Sequence, residues 1–444
     1  MLVNIHFDKR TILILLLMAG LLVSPPLQAQ VWTLQQCLDT AQQHNKNLLV
    51  SRNNVAISQQ KVQEAQAGLI PKVSVNADYR YYAELPYQFM PQSAFGGPEG
   101  VFKEIQFGVP HNINANLQLS IPLYNPQVYG SIKSSKIASE LVDLQNRKSE
   151  EQIAYEVINL YYNAQILRYQ AKLIEGNLVN AKKLLQNMQL LKEQLLARGT
   201  DVSKVQLQID QLTNQHAMAT SKYAQVINAL KISVGIAMSQ NLEVVDTIAT
   251  ATPQAYTYTA TLDTRIIQKQ NLLLQSEMSV FKNSRLPSVS LYGSYGLTGF
   301  GYDKAPNEFL KFYPVGFAGL QLSYPLFNGT VTRQKISQKK LEITNKELQA
   351  NLLNDQSALQ IETAQQEKLV AQQSVQTTLA QIQLAQSIYD QTLLQQKQGV
   401  ASLTDVLLAD NALRETQQAH VSSLIDYLKA DLDLKKATGN LSFN

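Results

Sequence analysis

The chain has 444 residues, of which 45% are hydrophobic and only 16% are charged, with a formal net charge of +4. No run of five basic residues occurs, so composition and charge do not support nucleic-acid binding. A single cysteine, Cys37, excludes an intramolecular disulfide.

The N-terminus has the pattern of a secretory signal peptide. Lys9 and Arg10 precede an apolar run from Thr11 to Val23, and the residues up to Ala29 suit a cleavage site. A transmembrane helix needs about 20 apolar residues, and this run is shorter. We therefore expect export with residues 1–29 removed, the alternative being an uncleaved anchor. Since no later stretch is long and apolar enough, a mature chain that stays in a membrane is expected to do so with strands.

Cys37 has two interpretations. A lipoprotein would carry it as a lipidated residue, but Gln35 and Gln36 precede it where small residues would be expected. We expect instead a buried thiol in the first helix, packed beside Leu38 and Ala41.

The first half of the chain is predicted to form a helix and a hairpin. A helix over 33–68 ends before Pro71, and two strands over 73–81 and 113–121 alternate apolar and polar residues without a break. A loop rich in Pro, Gly and Phe is expected over 83–110. Each strand has about ten residues, the length that spans a bilayer when tilted. A soluble sandwich gives the same alternation but needs more strands than this chain offers.

A long helix is predicted from 127 to 197. Its apolar residues recur in steps of four and three, a 3.5-residue period typical of helices packed along their length. About 70 helical residues make a rod of about 105 Å, which no compact domain uses. Gly199 is expected to break this rod before a helix returns.

The second half repeats the first. Leu-Ser-x-Pro-Leu-aromatic-Asn occurs at 119–125 and again at 322–328. Pro122 and Pro325 are expected at strand-to-helix corners, because proline cannot donate to a sheet ladder and disfavours helix in the residue before it. Gly399 is expected to break the second rod.

The predicted divisions are a signal peptide at 1–29; a first repeat at 30–240 with a hairpin at 72–122, a long helix at 127–197 and a return helix at 201–236; a linker at 241–262; and a second repeat at 263–444 with a hairpin at 288–325, a long helix at 331–398 and a return helix at 402–437.

Four strands cannot close, and an open edge is not tolerated in lipid, so membrane strands would have to be pooled between copies. Four features of the sequence resemble the TolC-like outer-membrane efflux proteins. They are the signal peptide, the Leu-Pro-x-Val-Ser strand starts, the doubled corners and the turn Gly399-x5-Asp405-Val406-Leu407. The resemblance implies an α+β membrane protein, a homotrimer with four strands per chain. Its twelve-stranded barrel would lie in the outer-membrane lipid of a Gram-negative bacterium and continue as a long periplasmic α-helical barrel.

The same resemblance implies a passive exit duct for a tripartite efflux or type I secretion system, coupled to an inner-membrane pump through a periplasmic adaptor protein. Family members close the periplasmic end with acidic residues just after this glycine. We expect Asp405, Lys204 and the neighbouring Asp201 to form a periplasmic gate, with Gly199 and Gly399 at the helix-turn tips. The alternative is that these are ordinary solvated charges, because exposed ion pairs contribute only about 0–1 kcal/mol.

The sequence contains no motif of an enzyme or a cofactor site: no Gly-Lys-Ser/Thr, His-Glu-x-x-His or Gly-x-Ser-x-Gly occurs. We therefore expect no catalysis, no cofactor and no metal site. The competing function is a structural coiled-coil or adhesin-like surface protein without transport. The paired hairpins between rods disfavour it, because an adhesin stalk would repeat heptads without them. Within the family, the exported substrate stays open between drugs, proteins and metal ions.

Overall fold

The computed structural model describes residues 31–248, 256–301, 311–441 and 443. The predicted signal peptide lies outside these ranges, as does part of the predicted linker. The chain divides into two compact units. The helical unit is formed by Met1–Ser51, Arg147–Thr261 and Gln356–Asn444, and the strand unit by Arg52–Asn146 and Leu262–Asp355.

Helices predominate in the described ranges, and the two longest have 68 and 67 residues. No helix in the described ranges is both long enough and apolar enough to cross a membrane. In chain order the elements are β1 (Val31–Trp32), α1 (Leu34–His44), α2 (Lys46–Ala67), β2 (Lys72–Tyr81), β3 (Tyr87–Pro91), a 3-10 helix (Gln92–Phe95), β4 (Phe102–Gln106), β5 (His111–Tyr124), α3 (Pro126–Glu193), α4 (Gly199–Val234), β6 (Glu243–Val244), α5 (Leu262–Asn283), β7 (Ser288–Gly301), β8 (Lys311–Ser323), α6 (Val331–Lys397) and α7 (Leu403–Ala437).

The strand unit contains one four-stranded antiparallel sheet in the order β2-β5-β7-β8. At one end of the sheet, Tyr81 lies opposite His111 and His111 opposite Gly301. One face carries exposed apolar side chains such as Val75 and Leu320. Among the described residues, strands β2 and β8 are the two edges, so this sheet is open in the single chain.

The helix predicted over 33–68 is wrong in one respect, because Asn45 divides it into α1 and α2. Asn45 has extended backbone angles. Its side-chain Nδ2 donates to the Ser233 carbonyl oxygen at 2.6 Å, while its Oδ1 accepts from the N–H groups of Asn47 and Leu48. These side-chain to backbone hydrogen bonds compete with a continuous helix and start α2 instead. The apolar period alone does not reveal this break.

The loop predicted over 83–110 is also wrong in part, because it contains a two-stranded ribbon. Strands β3 and β4 pair antiparallel, from Tyr87 opposite Gln106 to Pro91 opposite Phe102. We call residues 87–106 the ribbon. Gly96 turns its tip with a φ of 80°, in the left-handed region that favours glycine. The many Pro and Gly residues of this stretch obscure its short alternation.

The largest apolar core of the helical unit forms where α1 packs against α3 and α4. Cys37 and Ala41 are fully buried there against Val157 and Leu230. Burial raises the pKa of the Cys37 thiol to about 12. The expected packing of Cys37 as a small apolar residue is therefore confirmed.

Candidate functional site

The predicted gate residues lie at two helix turns of the helical unit. The first turn joins Glu193, the end of α3, to Gly199, the first residue of α4, and its left-handed residue is Leu195 with a φ of 63°. The second turn joins α6 to α7 and contains Gly399 with a φ of 77°. Glycine thus supplies the left-handed backbone in the second turn only.

Asp405 stabilises the first turn of α7. Its carboxylate Oδ2 accepts from the Ser402 N–H at 2.9 Å and the Ser402 hydroxyl at 2.7 Å, and the Asp405 N–H donates to the Ser402 Oγ at 3.2 Å. This is a capping box. The hydroxyl and then the backbone hydrogen bond lower the pKa of the exposed Asp405 carboxyl. Asp405 is thus an ionised, solvent-facing group held in place by its own helix.

Asp201 has the same position at the start of α4. Its Oδ2 accepts from the Arg198 N–H at 3.4 Å, and its Oδ1 lies 3.7 Å from the Lys204 Nζ. Among the described residues of the single chain, the carboxylate paired with Lys204 is therefore that of Asp201, and no ion pair joins Lys204 to Asp405. Leu408 stands three residues after Asp405, at the offset that separates Lys204 from Asp201, so the second turn has no counterpart of this ion pair.

The starts of α4 and α7 can be aligned by their capping residues, which matches Asp201 with Asp405, or by their buried faces, which matches Lys204 with Asp405. Lys204 and Asp405 each immediately precede a fully buried valine. Because Asp201 and Asp405 are equivalent by their capping positions, α4 begins about one helical turn earlier relative to its buried face. The matching buried residues are Val205, Gln208, Ile209 and Leu212 on α4, and Val406, Ala409, Asp410 and Leu413 on α7.

A buried polar contact links the two return helices, and the sequence did not predict it. Asp410 accepts a hydrogen bond from Gln208 Nε2 of α4 and another from Arg414 Nε at 2.8 Å. Burial raises the pKa of the Asp410 carboxyl, and the Arg414 guanidinium and the Gln208 amide oppose that shift. The spacing of Asp410 and Arg414 is visible in the sequence, but the partner on α4 is not.

A groove lies next to this contact, bordered by α3, α4 and α7, with a volume of about 430 Å³. Its rim is rich in amides: Asn177 donates to Gln417 at 2.7 Å, and Gln170 donates to Gln418 at 3.1 Å. Apolar side chains, Met218 among them, line the groove between these amides. The mixture suits a helical partner with an apolar seam and polar flanks.

A second buried charge cluster ties Tyr256, in the predicted linker, to α6 and α7. The Asp431 carboxylate lies 2.7 Å from Lys368 Nζ and 3.0 Å from Lys435 Nζ, and it accepts from the Tyr256 hydroxyl at 2.8 Å. The Lys368 ammonium also lies 4.5 Å from the centre of the Tyr256 ring. Burial raises the pKa of Asp431, but the hydrogen bonds from Lys368 and Tyr256 outweigh it, so the pKa is lowered.

The two predicted corner prolines occupy different places. Pro122 lies within β5 opposite Ser290, where the pairing register shifts. Pro325 follows the end of β8. The asparagine that ends the first motif, Asn125, accepts hydrogen bonds from the N–H groups of Gln127 and Val128, both at 3.2 Å, and so starts α3. In the strand unit, this asparagine determines where the helix begins.

The chain resembles known proteins over most of its length. The family model described as "Outer membrane efflux protein" matches residues 37–235 and 273–440. The outer membrane protein TolC of Vibrio cholerae is 23% identical over 352 residues, which cover 74% of this chain and 77% of that protein.

Solved structures show the same fold at low sequence identity. The outer membrane protein VceC of Vibrio cholerae gives a TM-score of 0.72 at 16% identity, covering 93% of this chain and 97% of that chain. The MtrE outer membrane channel of Neisseria gonorrhoeae gives a TM-score of 0.72 at 16% identity, covering 93% and 90%. Together with the family match over most of the chain, these findings show that the chain belongs to the outer membrane efflux protein family.

Proposed function

We propose that this chain is the outer-membrane channel of a tripartite efflux or type I secretion system, a passive exit duct that works with an inner-membrane pump and a periplasmic adaptor. The observation that carries the proposal is the family match over most of the chain, together with the likeness over nearly the full length of both chains to a solved outer membrane channel. The family consists of transport proteins, and the duct itself performs no catalysis. Energy for transport comes from the pump.

The open sheet supports a trimer as the working form. Within the described part of the single chain, strands β2 and β8 both have an unpaired side, and such edges are not tolerated in lipid. Three copies with four strands each give twelve strands, enough to close a barrel. The two-repeat organisation then supplies each copy with two hairpins and two long helices, and the helices of the three copies form the periplasmic tunnel.

The charges at the helix turns form the periplasmic gate in this proposal. Asp405 and Lys204 are exposed and Asp201 is half-buried at the two helix turns, and three copies would place them around one opening. Replacing Asp405 by Asn removes the charge but keeps an oxygen that accepts from the Ser402 N–H. We expect this change to raise single-channel conductance and weaken cation preference, with Asp390→Asn on exposed α6 as the control. Conductance equal to that of the parent protein would contradict the gate.

The groove between α3, α4 and α7 is the proposed binding site of the adaptor. Its amide groups and the apolar side chains between them fit a helical segment of the adaptor with the same character. Met218→Lys adds a charge to the apolar lining of the groove, and we expect it to abolish transport while leaving the trimer and its conductance intact. Leu207→Lys, an exposed residue of α4 outside the groove, is the control. Loss of transport in both variants would argue against a specific adaptor-binding site in the groove.

The whole proposal is tested by the oligomeric mass in detergent together with conductance in planar bilayers. A trimer that conducts in small, cation-favouring steps supports the duct. A monomer without conductance would overturn it and favour the structural coiled-coil or adhesin-like alternative.

A further inference from the structure

The ribbon carries an exposed aromatic face that nothing in the described chain covers. Tyr87, Phe89 and Phe102 are 67%, 68% and 61% exposed. Residues opposite each other in an antiparallel pair share a face, so these three lie together with Glu104, which faces Phe89. Three aromatic side chains exposed to this extent present on the order of 400 Å² of apolar surface, a size that marks an interaction site.

The ribbon continues the first hairpin beyond the end of the four-stranded sheet. The Tyr82 N–H donates to the Pro110 carbonyl oxygen at 2.8 Å, and the Phe107 N–H donates to the Pro86 carbonyl oxygen at 3.3 Å. These bonds extend the β2–β5 ladder into β3 and β4. Helices α2 and α3 join the opposite end of that ladder. In the proposed channel, whose helices are periplasmic, the ribbon therefore stands at the outer mouth.

The length of the ribbon matches the width of that mouth. Five residues of strand at about 3.3 Å each reach about 17 Å. A barrel of twelve strands, spaced about 4.8 Å apart and tilted by about 40°, has a backbone radius of about 12 Å. A ribbon that leans inward is thus long enough to meet its counterparts at the axis.

The charge on the aromatic face argues against lipid as the covering surface. Glu104 lies among the aromatic side chains, and a carboxylate is costly in hydrocarbon. A wet opening shared between copies accepts both the rings and the carboxylates, because the rings can pack together while Glu104 remains hydrated. The occupant that fits is the same ribbon of the neighbouring copies.

We propose that the ribbons of three copies converge over the outer mouth of the channel and pack their aromatic faces together, which narrows the exit. This inference rests on the proposed trimeric barrel. Substrate leaving the duct must separate the ribbons, so the outer end has a constriction of its own, independent of the charges at the helix turns.

The test uses thiol access from outside the cell in the full-length protein. Gln118→Cys places a reporter on the polar face of β5, where Gln118 accepts from Asn76 at 3.2 Å, and the natural Cys37 is fully buried. Intact cells are treated with a small or a bulky membrane-impermeant thiol reagent. We expect the small reagent to label Gln118→Cys and the bulky one to label it only slowly.

Removing the aromatic face should admit the bulky reagent. Phe89→Ser with Phe102→Ser is expected to speed its reaction several-fold, whereas Gln88→Ser with Lys103→Ser, on the other face of the ribbon, leaves the rate unchanged. Replacing residues 87–106 by a short Gly-Ser linker between Pro86 and Phe107, which are already hydrogen-bonded, should have the largest effect. Equal rates for the bulky reagent in all variants would overturn the inference. Absence of labelling by the small reagent in every variant would overturn the barrel itself.

Discussion

At the scale of single residues, Asp431 is a buried carboxylate with three partners in the helical unit. Two ammonium groups and one phenol contact a carboxylate whose side chain is only 7% exposed. Removing one member of such a buried group leaves uncompensated charge, which costs more than the intact cluster contributes. Tyr256 lies in the predicted linker at 241–262, so Asp431 anchors that segment to α6 and α7.

We predict that Asp431→Asn destabilises the protein by about 3 kcal/mol, because Lys368 and Lys435 lose their shared carboxylate. The measurement is the denaturant midpoint of the helical circular-dichroism signal. Asp426→Asn, on the exposed side of α7, is the control. Since the pKa of Asp431 is lowered in the fold, its contribution is present above 3.8 and is lost as the pH falls through the lowered value. A variant as stable as the parent would refute this role.

His420 is a buried imidazole between α6 and α7. Its Nδ1 lies 3.0 Å from Thr378 Oγ1, and burial lowers its pKa below 6.5. The unfolded chain therefore binds a proton at higher pH than the folded one, so stability decreases as the pH falls below 6.5. We predict that His420→Gln flattens the dependence of the melting temperature on pH between about 7 and 5. The exposed His44→Gln is the control and should retain the parent slope. An unchanged slope in His420→Gln would contradict the prediction.

At the scale of elements, the approach of α1 to α4 depends on Gly235, which ends α4 with a φ of 84°. A Cβ at this position would lie 2.3 Å from the His44 carbonyl oxygen and 2.9 Å from the Asn45 nitrogen. The break between α1 and α2 and the end of α4 are therefore packed backbone to backbone.

We predict that Gly235→Ala destabilises the helical unit by more than about 1 kcal/mol, because it combines left-handed strain with a backbone clash. Gly176→Ala is the matched control. Gly176 lies inside α3, and a Cβ added there would have nothing within 4 Å, so alanine should be neutral or stabilising by up to about 1 kcal/mol. Thermal melting of both variants decides the matter, and equal melting temperatures would disprove the clash.

At the scale of the whole molecule, the open sheet makes assembly between copies the central expectation. Val75 on β2 and Leu320 on β8 lie on opposite edges of a four-stranded sheet. Three strand spacings of about 4.8 Å separate these edges, which exceeds the reach of a disulfide within one chain.

We predict that Val75→Cys, combined in turn with Gly316→Cys, Ala318→Cys or Leu320→Cys, gives covalent dimers and trimers under oxidation for at least one of the three pairs. Non-reducing gels read the outcome. Val75→Cys alone is the control, since the buried Cys37 does not react. Monomers for every pair would count against the pooled barrel.

The sequence alone determined the long helices, the alternating strands and the family, because helical and strand periodicities are local properties that burial imposes on successive residues. It also determined that Asp405, Lys204 and Asp201 lie near helix turns. The ion-pair partners of these residues could not be read from the sequence. Lys204 pairs with Asp201 within one turn, and whether it meets Asp405 depends on neighbouring copies.

Only the tertiary structure decided the features that depend on residues far apart in the chain. Asn45 breaks a helix because its amide reaches Ser233, and Asp410 is buried because Gln208 comes from another helix. The ribbon forms because β3 finds its partner across a turn that local composition presents as a loop. Such contacts depend on packing between elements, and a local apolar period contains no information about which distant side chain will complete a hydrogen bond.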